Sequence, residues 1–199
     1  MHTVETLKAF ERDIADVFNM GNIKAPVHLS GGNEEALLSI FKSIRSSDWI
    51  FCSWRSHYHA LLHGIPPEKV KAEIMAGRSI ALCFPEHRFY SSAIVGGNLP
   101  IALGVAWSIK RAAGRERVFA FIGDMTGATG MCGECSRYAA GFGLPITFVV
   151  EDNGKSVCTD TLASWGTPED RARLDGPMHV RYRYDLPWPH SGAGKRVEF

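Results

Sequence analysis

Apolar residues at Val4, Leu7, Phe10, Ile14, Val17 and Phe18 recur at helical spacing and predict an amphipathic helix over residues 3–20. "NEEALLSIFKSIRSSD" carries a second helical pattern. Asn33 is expected to be its N-cap, and two carboxylates fill its first turn, where the helix dipole favours negative charge. "DWIFCSW" is a short unbroken apolar run, the mark of a buried strand. "PPEKVKAEIMAG" opens on Pro and closes on Gly, as a helix does. "PIALGVAWSIKRAAG" is small and apolar up to its basic end, which predicts a buried helix closing at Gly114. "RVFAFIGD" then reads as a strand, "GMCGECSRYAAGFG" as a helix and "LPITFVVEDN" as a strand. Strand, helix, strand at this spacing is a βαβ unit. The fold class it implies is α/β, a three-layer arrangement of a parallel sheet flanked by helices.

The pattern changes after Gly176. "GPMHVRYRYDLPWPHSGAGKRVEF" is rich in Pro, Gly, basic and aromatic residues and predicts a wrapping segment rather than a layer. The expected division is a domain over residues 1–176 and a tail over 177–199 that packs on that domain or on a partner subunit. Composition narrows the partners. A chain of 199 residues, 45% hydrophobic and 22% charged, fits one soluble globular domain. Its formal net charge of +1 provides no global field for nucleic acid or a membrane surface. No apolar run approaches the roughly 20 residues needed to span a bilayer, and "MHTVETLKAFERDIADVFNMG" lacks the apolar centre of a signal peptide. Five scattered cysteines fit free thiols in a reducing compartment, so the cytoplasm is expected.

The candidate chemistry lies in "VFAFIGDMTGATGMCGECSRYAAGFGLPITFVVEDNGKSV", residues 118–157, where each of two predicted strands ends in a polar knot. In a parallel α/β sheet, ligands bind beyond the carboxyl ends of the strands. "GDMTGATG" provides backbone N–H groups for an anion. Asp124 carries a carboxylate oxygen and Asn153 an amide oxygen, hard donors that suit Mg²⁺ together with phosphate and water. Two readings stand at this level: a diphosphate held through one divalent cation, or Asp124 capping a helix while Asn153 turns the chain.

Gly123-Asp124, Gly130, Glu134, Ala139, Leu144-Pro145 and Asp152-Asn153 follow in order. The series resembles the cofactor signature of thiamine diphosphate enzymes, in particular the α subunits of pyruvate, branched-chain 2-oxoacid and acetoin dehydrogenases. Upstream, "HLSGGNEEAL", "WRSHYHALLHGIPPEKVKAEIMAG" and "HRFYSSAIVGGNLPIALGVA" resemble the same subunits, so the likeness spans about residues 28–166. It implies thiamine diphosphate and Mg²⁺ as cofactors. Asp124, Asn153 and the Lys155 carbonyl become metal ligands. Trp54 and Arg55 grip the diphosphate, where a planar guanidinium makes paired hydrogen bonds. Gly123, Met125 and Thr126 cradle it, and the backbone of Ala93 and Val95 touches the aminopyrimidine. His57 and His87 match histidines near the cofactor and the substrate channel, and are expected to be catalytic.

The resemblance also implies an incomplete site. The glutamate that activates the pyrimidine comes from a β-like subunit, so an α₂β₂ assembly with that partner is expected. The expected reaction is cleavage of a 2-oxo acid and transfer of the acyl or aldehyde unit. Alternatives are a transketolase- or acyloin-type transfer of a two-carbon ketol unit, and a non-catalytic, degenerate partner subunit. Several positions depart from the pattern. Met125 stands for glycine and must avoid positive φ, Asp152 replaces the first Asn of a pair, and Arg137 stands where the helix has Asn. The family's later His-containing loop has no counterpart, and His190 is its one stand-in. Cys132 and Cys135 read as thiols on a helix flank, and His63 as either a site or a surface residue.

Overall fold

Alternate residues of the apolar runs face opposite ways, and both faces of the resulting sheet are covered by helices. The computed structural model describes residues 2–166, 178–192, 194 and 196–199. The chain begins with α1 (Val4–Asn19), α2 (Glu34–Phe41), β1 (Trp49–Cys52), α3 (His57–Leu62) and α4 (Pro67–Met75). It continues through β2 (Cys83–Phe84), a 3₁₀ turn (Pro85–His87), β3 (Phe89–Ser91), α5 (Asn98–Arg111), β4 (Val118–Gly123) and α6 (Asp124–Gly127). Then come α7 (Gly130–Gly141), β5 (Ile146–Asp152), β6 (Lys155–Ser156), β7 (Thr159–Asp160), α8 (Thr161–Trp165) and β8 (His179–Arg183). Among the described residues no helix is long and apolar enough to cross a membrane.

Six strands form one sheet in the order β2-β3-β1-β4-β5-β8, and β6 and β7 form a separate hairpin. All neighbours in the large sheet are parallel except the two-residue β2, which runs antiparallel to β3. The α/β class and the layered sheet are as expected, with one short antiparallel strand at the edge. Period-2 alternation builds the layers. Phe119 and Phe121 of β4 join Leu7, Leu37, Tyr58, Leu61 and Ile74 under one face. Val118, Ala120 and Ile122 join Leu99, Ala102, Ala106, Cys135 and Ala139 under the other.

Four expectations change. The second helix ends at Phe41, short of "KSIRSSD". Asn33 makes no side-chain cap there; its amide instead donates to Glu151 and Tyr182. "SHYHALLHG" forms α3, which was not anticipated, and His63 is buried rather than on the surface. The tail is not only a wrap: β8 pairs with β5 in register from Phe148↔His179 to Asp152↔Arg183. Beyond β8 it packs on the "SGG" turn so closely that a Cβ at Gly32, where φ is +81°, would stand 2.0 Å from the Asp185 carbonyl oxygen. Trp188 Nε1 donates to the Ser30 carbonyl at 2.9 Å. The expected boundary at residues 176–177 lies outside the described residues.

The amino end of β1 is fixed by Asp48, whose buried carboxylate accepts from Arg45 at 2.9 Å and Arg117 at 2.7 Å. Burial raises its pKa, but the hydrogen bonds from Arg117 and Arg45 outweigh this and hold the carboxyl below its ordinary value. A depressed folded pKa contributes stability that is present above the unfolded pKa and lost as pH falls through the folded one. Asp48→Ala is therefore expected to lose about 2–3 kcal/mol at neutral pH. Urea unfolding should also show the gap between variant and wild type closing below roughly pH 4.

Candidate functional site

From β1 the chain crosses to β3 on one side, and from β4 it crosses to β5 on the other. The segment after β1 enters α3, which packs beneath one face, while the segment after β4 leads to α7 on the opposite face. A crevice opens where such connections part. A cleft enclosing about 540 Å³, counting its open mouth, lies there. It brings together Trp54, Arg55, Val95, Gly123, Met125, Thr126, Asn153 and Lys155, all singled out in the sequence. Asp124 follows Gly123 directly and is 3% exposed at the start of α6. Ala93 is exposed and does not line the cleft.

The loop "GDMTGATG" contains a helical turn. Gly123 is extended, Asp124–Gly127 form α6, and Thr129 caps α7 by accepting from the Cys132 N–H at 3.3 Å. Met125 therefore has no positive φ. The helical turn removes the need for glycine, and its side chain joins the cleft wall. Strain appears instead at Val157, also in the wall, where φ is +58° in the tight β6–β7 turn. For a β-branched residue that conformation costs on the order of 1–3 kcal/mol.

Arg55 is 9% exposed. One terminal nitrogen donates to the Leu29 carbonyl at 3.1 Å, and the other meets His190 Nδ1 at 3.4 Å. Among the described residues no ion pair joins it to a carboxylate. Burial pulls its pKa below the ordinary value, opposed by Tyr184 and Glu11. A buried guanidinium with only neutral partners is a costly arrangement that an anion would relieve.

Glu151, at the carboxyl end of β5, lines the cleft and was missed in the sequence. It pairs in register with Gly123 of β4 and is 6% exposed. Its Oε1 accepts from His59 Nε2 at 3.1 Å, from Asn33 Nδ2 at 3.3 Å and from the Tyr182 hydroxyl. Burial raises the pKa of Tyr182, and the neighbouring Glu151 raises it further, so the phenol stays a donor. Tyr184 lies against the cleft with its hydroxyl 3.4 Å from Asn153 Nδ2. Asn153 Oδ1 accepts from the Lys155 N–H at 3.0 Å, which folds the strand end back toward the site. The only signal for Glu151 was its place beside Asp152 in "EDNGK"; Asp152 itself accepts from Arg181 at 2.8 Å.

The two expected catalytic histidines are not brought to the cleft. His57 is fully buried, with Nδ1 on Glu11 at 3.0 and 3.1 Å and Nε2 on Ser79 Oγ at 2.9 Å, so both ring nitrogens are occupied. His87 ends the 3₁₀ turn before β3. Phe89, two residues later, sits beside Ile50 at the amino end of β1, whereas the cleft lies beyond Cys52 at the carboxyl end. The length of β3 therefore separates His87 from the site. Cys132 and Cys135 are buried free thiols on α7. Burial pushes Cys132 up to about 12, which disfavours the reactive thiolate. Glu134 is exposed on the same helix. No group of three or more His, Cys, Asp or Glu residues able to hold a metal occurs among the described residues.

Residues 2–176 match the family described as Dehydrogenase E1 component. Among curated relatives, the pyruvate dehydrogenase E1 component subunit alpha of Rickettsia bellii is 30% identical, over 79% of this chain and 52% of its own length. The corresponding subunit of Porphyra purpurea is 32% identical, over 72% and 47%. The chloroplastic subunit alpha-3 of Arabidopsis thaliana is 30% identical, over 81% and 42%. The chain thus spans about half the length of the relatives it matches. With the motif residues gathered at one crevice of a largely parallel sheet and the match running over residues 2–176, the chain belongs to the dehydrogenase E1 component family.

Proposed function

We propose that this chain is the α-like subunit of a two-component, thiamine diphosphate- and Mg²⁺-dependent enzyme. The enzyme cleaves a 2-oxo acid of the pyruvate type and transfers the resulting acyl or aldehyde unit. The observation that carries the reading is Arg55, a buried guanidinium with no ion-paired carboxylate among the described residues, in a cleft whose wall holds the motif residues around Gly123 and Asn153. A diphosphate fits that environment: it neutralises the guanidinium and accepts its paired N–H groups. A degenerate scaffold would have no use for a buried guanidinium whose hydrogen bonds go only to neutral groups.

In this reading Asp124, Asn153 and the Lys155 carbonyl would hold Mg²⁺ through hard oxygen donors, the kind this ion takes together with phosphate and water. Trp54, Val95, Gly123, Met125 and Thr126 would form the wall along the cofactor. Thiamine diphosphate, if bound there, would supply a nucleophilic carbon and an electron sink for the cleavage of a 2-oxo acid. The residues of this chain bind and orient it. The Glu151–His59 pair anchors the end of β5 to α3, and Glu11–His57 anchors α1 to the start of α3. His57 thus acts through position rather than by proton transfer. The β-like partner provides the activating glutamate and the other wall, in an α₂β₂ assembly.

Calorimetric titration of the purified chain with thiamine diphosphate and Mg²⁺ should give weak binding alone and tight binding with a β-like subunit. Turnover of a 2-oxo acid by this chain alone would contradict the two-component reading. Asp124→Ala is expected to abolish the Mg²⁺-dependent part of cofactor binding while the fold remains, as followed by circular dichroism. An unchanged affinity in that variant would remove the metal assignment.

A further inference from the structure

A second cleft opens outward from the first and shares Arg55, Asn153, Lys155 and Val157 with it. The tail closes its far side with Asp185, Trp188 and His190. His190 is held from several directions. Its ring stacks on His28 with centroids 4.3 Å apart and planes at 28°, and it meets Trp54 edge-on at 6.3 Å. Two residues earlier in the chain, Trp188 is fixed to the Ser30 carbonyl. The imidazole is a placed group at the mouth of the site.

The protonation of that ring follows from its partner. A guanidinium only donates, so the Nδ1 that faces Arg55 Nη2 at 3.4 Å must be the bare nitrogen. The ring proton of neutral His190 is then on Nε2, as a hydrogen-bond donor. Burial lowers the pKa of His190, and the nearby Arg55 lowers it further, in keeping with a neutral ring. At 3.4 Å the contact with Arg55 is long for a hydrogen bond, and a neutral nitrogen is a poor counterpart for a buried cation. Lys155 adds a second positive charge to the wall, against the one carboxylate, that of Asp185, among the described lining residues. The Lys155 ammonium is half exposed and 4.0 Å from the Asp160 carboxylate.

We propose that this outer cleft is an oxyanion subsite in which His190 is a binding residue: its Nε2–H joins the Arg55 guanidinium and the Lys155 ammonium on one phosphate or carboxylate group. The imidazole bridges Arg55 and the anion, accepting from one and donating to the other. The tail is then part of the binding site. The subsite rests on the diphosphate reading for its neighbour, and its ligand is either the terminal phosphate of a diphosphate or the carboxylate of a 2-oxo acid.

The full chain, as wild type, His190→Ala and His190→Gln, would be titrated calorimetrically with inorganic pyrophosphate plus Mg²⁺ and, separately, with pyruvate. His190→Ala should weaken one of these ligands about tenfold, the loss of one hydrogen bond to a charged group. His190→Gln, which keeps an N–H donor, should recover most of that affinity. Unchanged unfolding midpoints would show that both variants retain the fold. A loss confined to pyrophosphate assigns the subsite to phosphate, and one confined to pyruvate assigns it to the substrate carboxylate; either supports the proposal. Wild-type affinity of His190→Ala for both ligands overturns it and leaves the diphosphate reading intact. Failure of the wild-type chain to bind either ligand at millimolar concentrations, with the β-like subunit present as well as without it, overturns both.

Discussion

The arrangement of the site depends on a guanidinium taken out of water with no carboxylate hydrogen-bonded to it among the described residues. Arg55 follows β1 at the switch point of the sheet and reaches Leu29 and His190, both neutral partners. Holding a guanidinium there opposes folding unless something else fixes the surrounding walls. Those walls are fixed well. The Leu29–Ser30 segment is pinned on one side by Glu11, which accepts from the Ser30 N–H at 2.8 Å, and on the other by Trp188. The cation is placed by elements that gain their stability elsewhere, and the site is pre-organised for an anion.

A second layer of buried polar groups ties the strand ends together. Glu11 and Glu151 each take a histidine from the same short helix, His57 and His59. Because these residues stand two apart on α3, they point to different neighbours: one faces α1 and Ser79, the other the end of β5. Tyr182 of β8 and Asn33 donate to the same Glu151 oxygen as His59. Buried networks of this kind rigidify the groups they join. Here they hold the carboxyl ends of β1 and β5 at a fixed spacing, with the cleft between them.

The central strands and their helices were legible because the signals are local. β1 and β4 are unbroken apolar runs, β5 is apolar through Val150 apart from Thr147, and α1 and α5 carry helical periodicity. Asp124 and Asn153 were legible as polar residues at two strand ends, and Arg55 through the family resemblance. What escaped depends on contacts distant in sequence. The bond from His59 to Glu151 spans 92 residues, and nothing at either position announces the other. "HVRYR" did not read as a strand because it is an edge: its arginines face outward or toward Asp152, and its pairing surface belongs to β5. Asn33 had the chemistry of a cap, but tertiary partners claimed its amide. His87 lies six residues before Ala93, yet a strand rising about 3.3 Å per residue intervenes and puts it at the other end of the sheet.

The central claim is that the crevice beyond β1, β4 and β5 holds a diphosphate through one divalent cation. Mn²⁺ substituted for Mg²⁺ reports this directly, because a phosphate oxygen on the metal brings its phosphorus nucleus into magnetic coupling with the unpaired electrons. Electron–nuclear double resonance on the full chain with Mn²⁺ and saturating thiamine diphosphate should show a phosphorus coupling distinct from that of the free Mn²⁺–cofactor complex, and Asp124→Ala should remove it. A protein-bound spectrum indifferent to the cofactor, or one that survives unchanged in Asp124→Ala, would contradict the account.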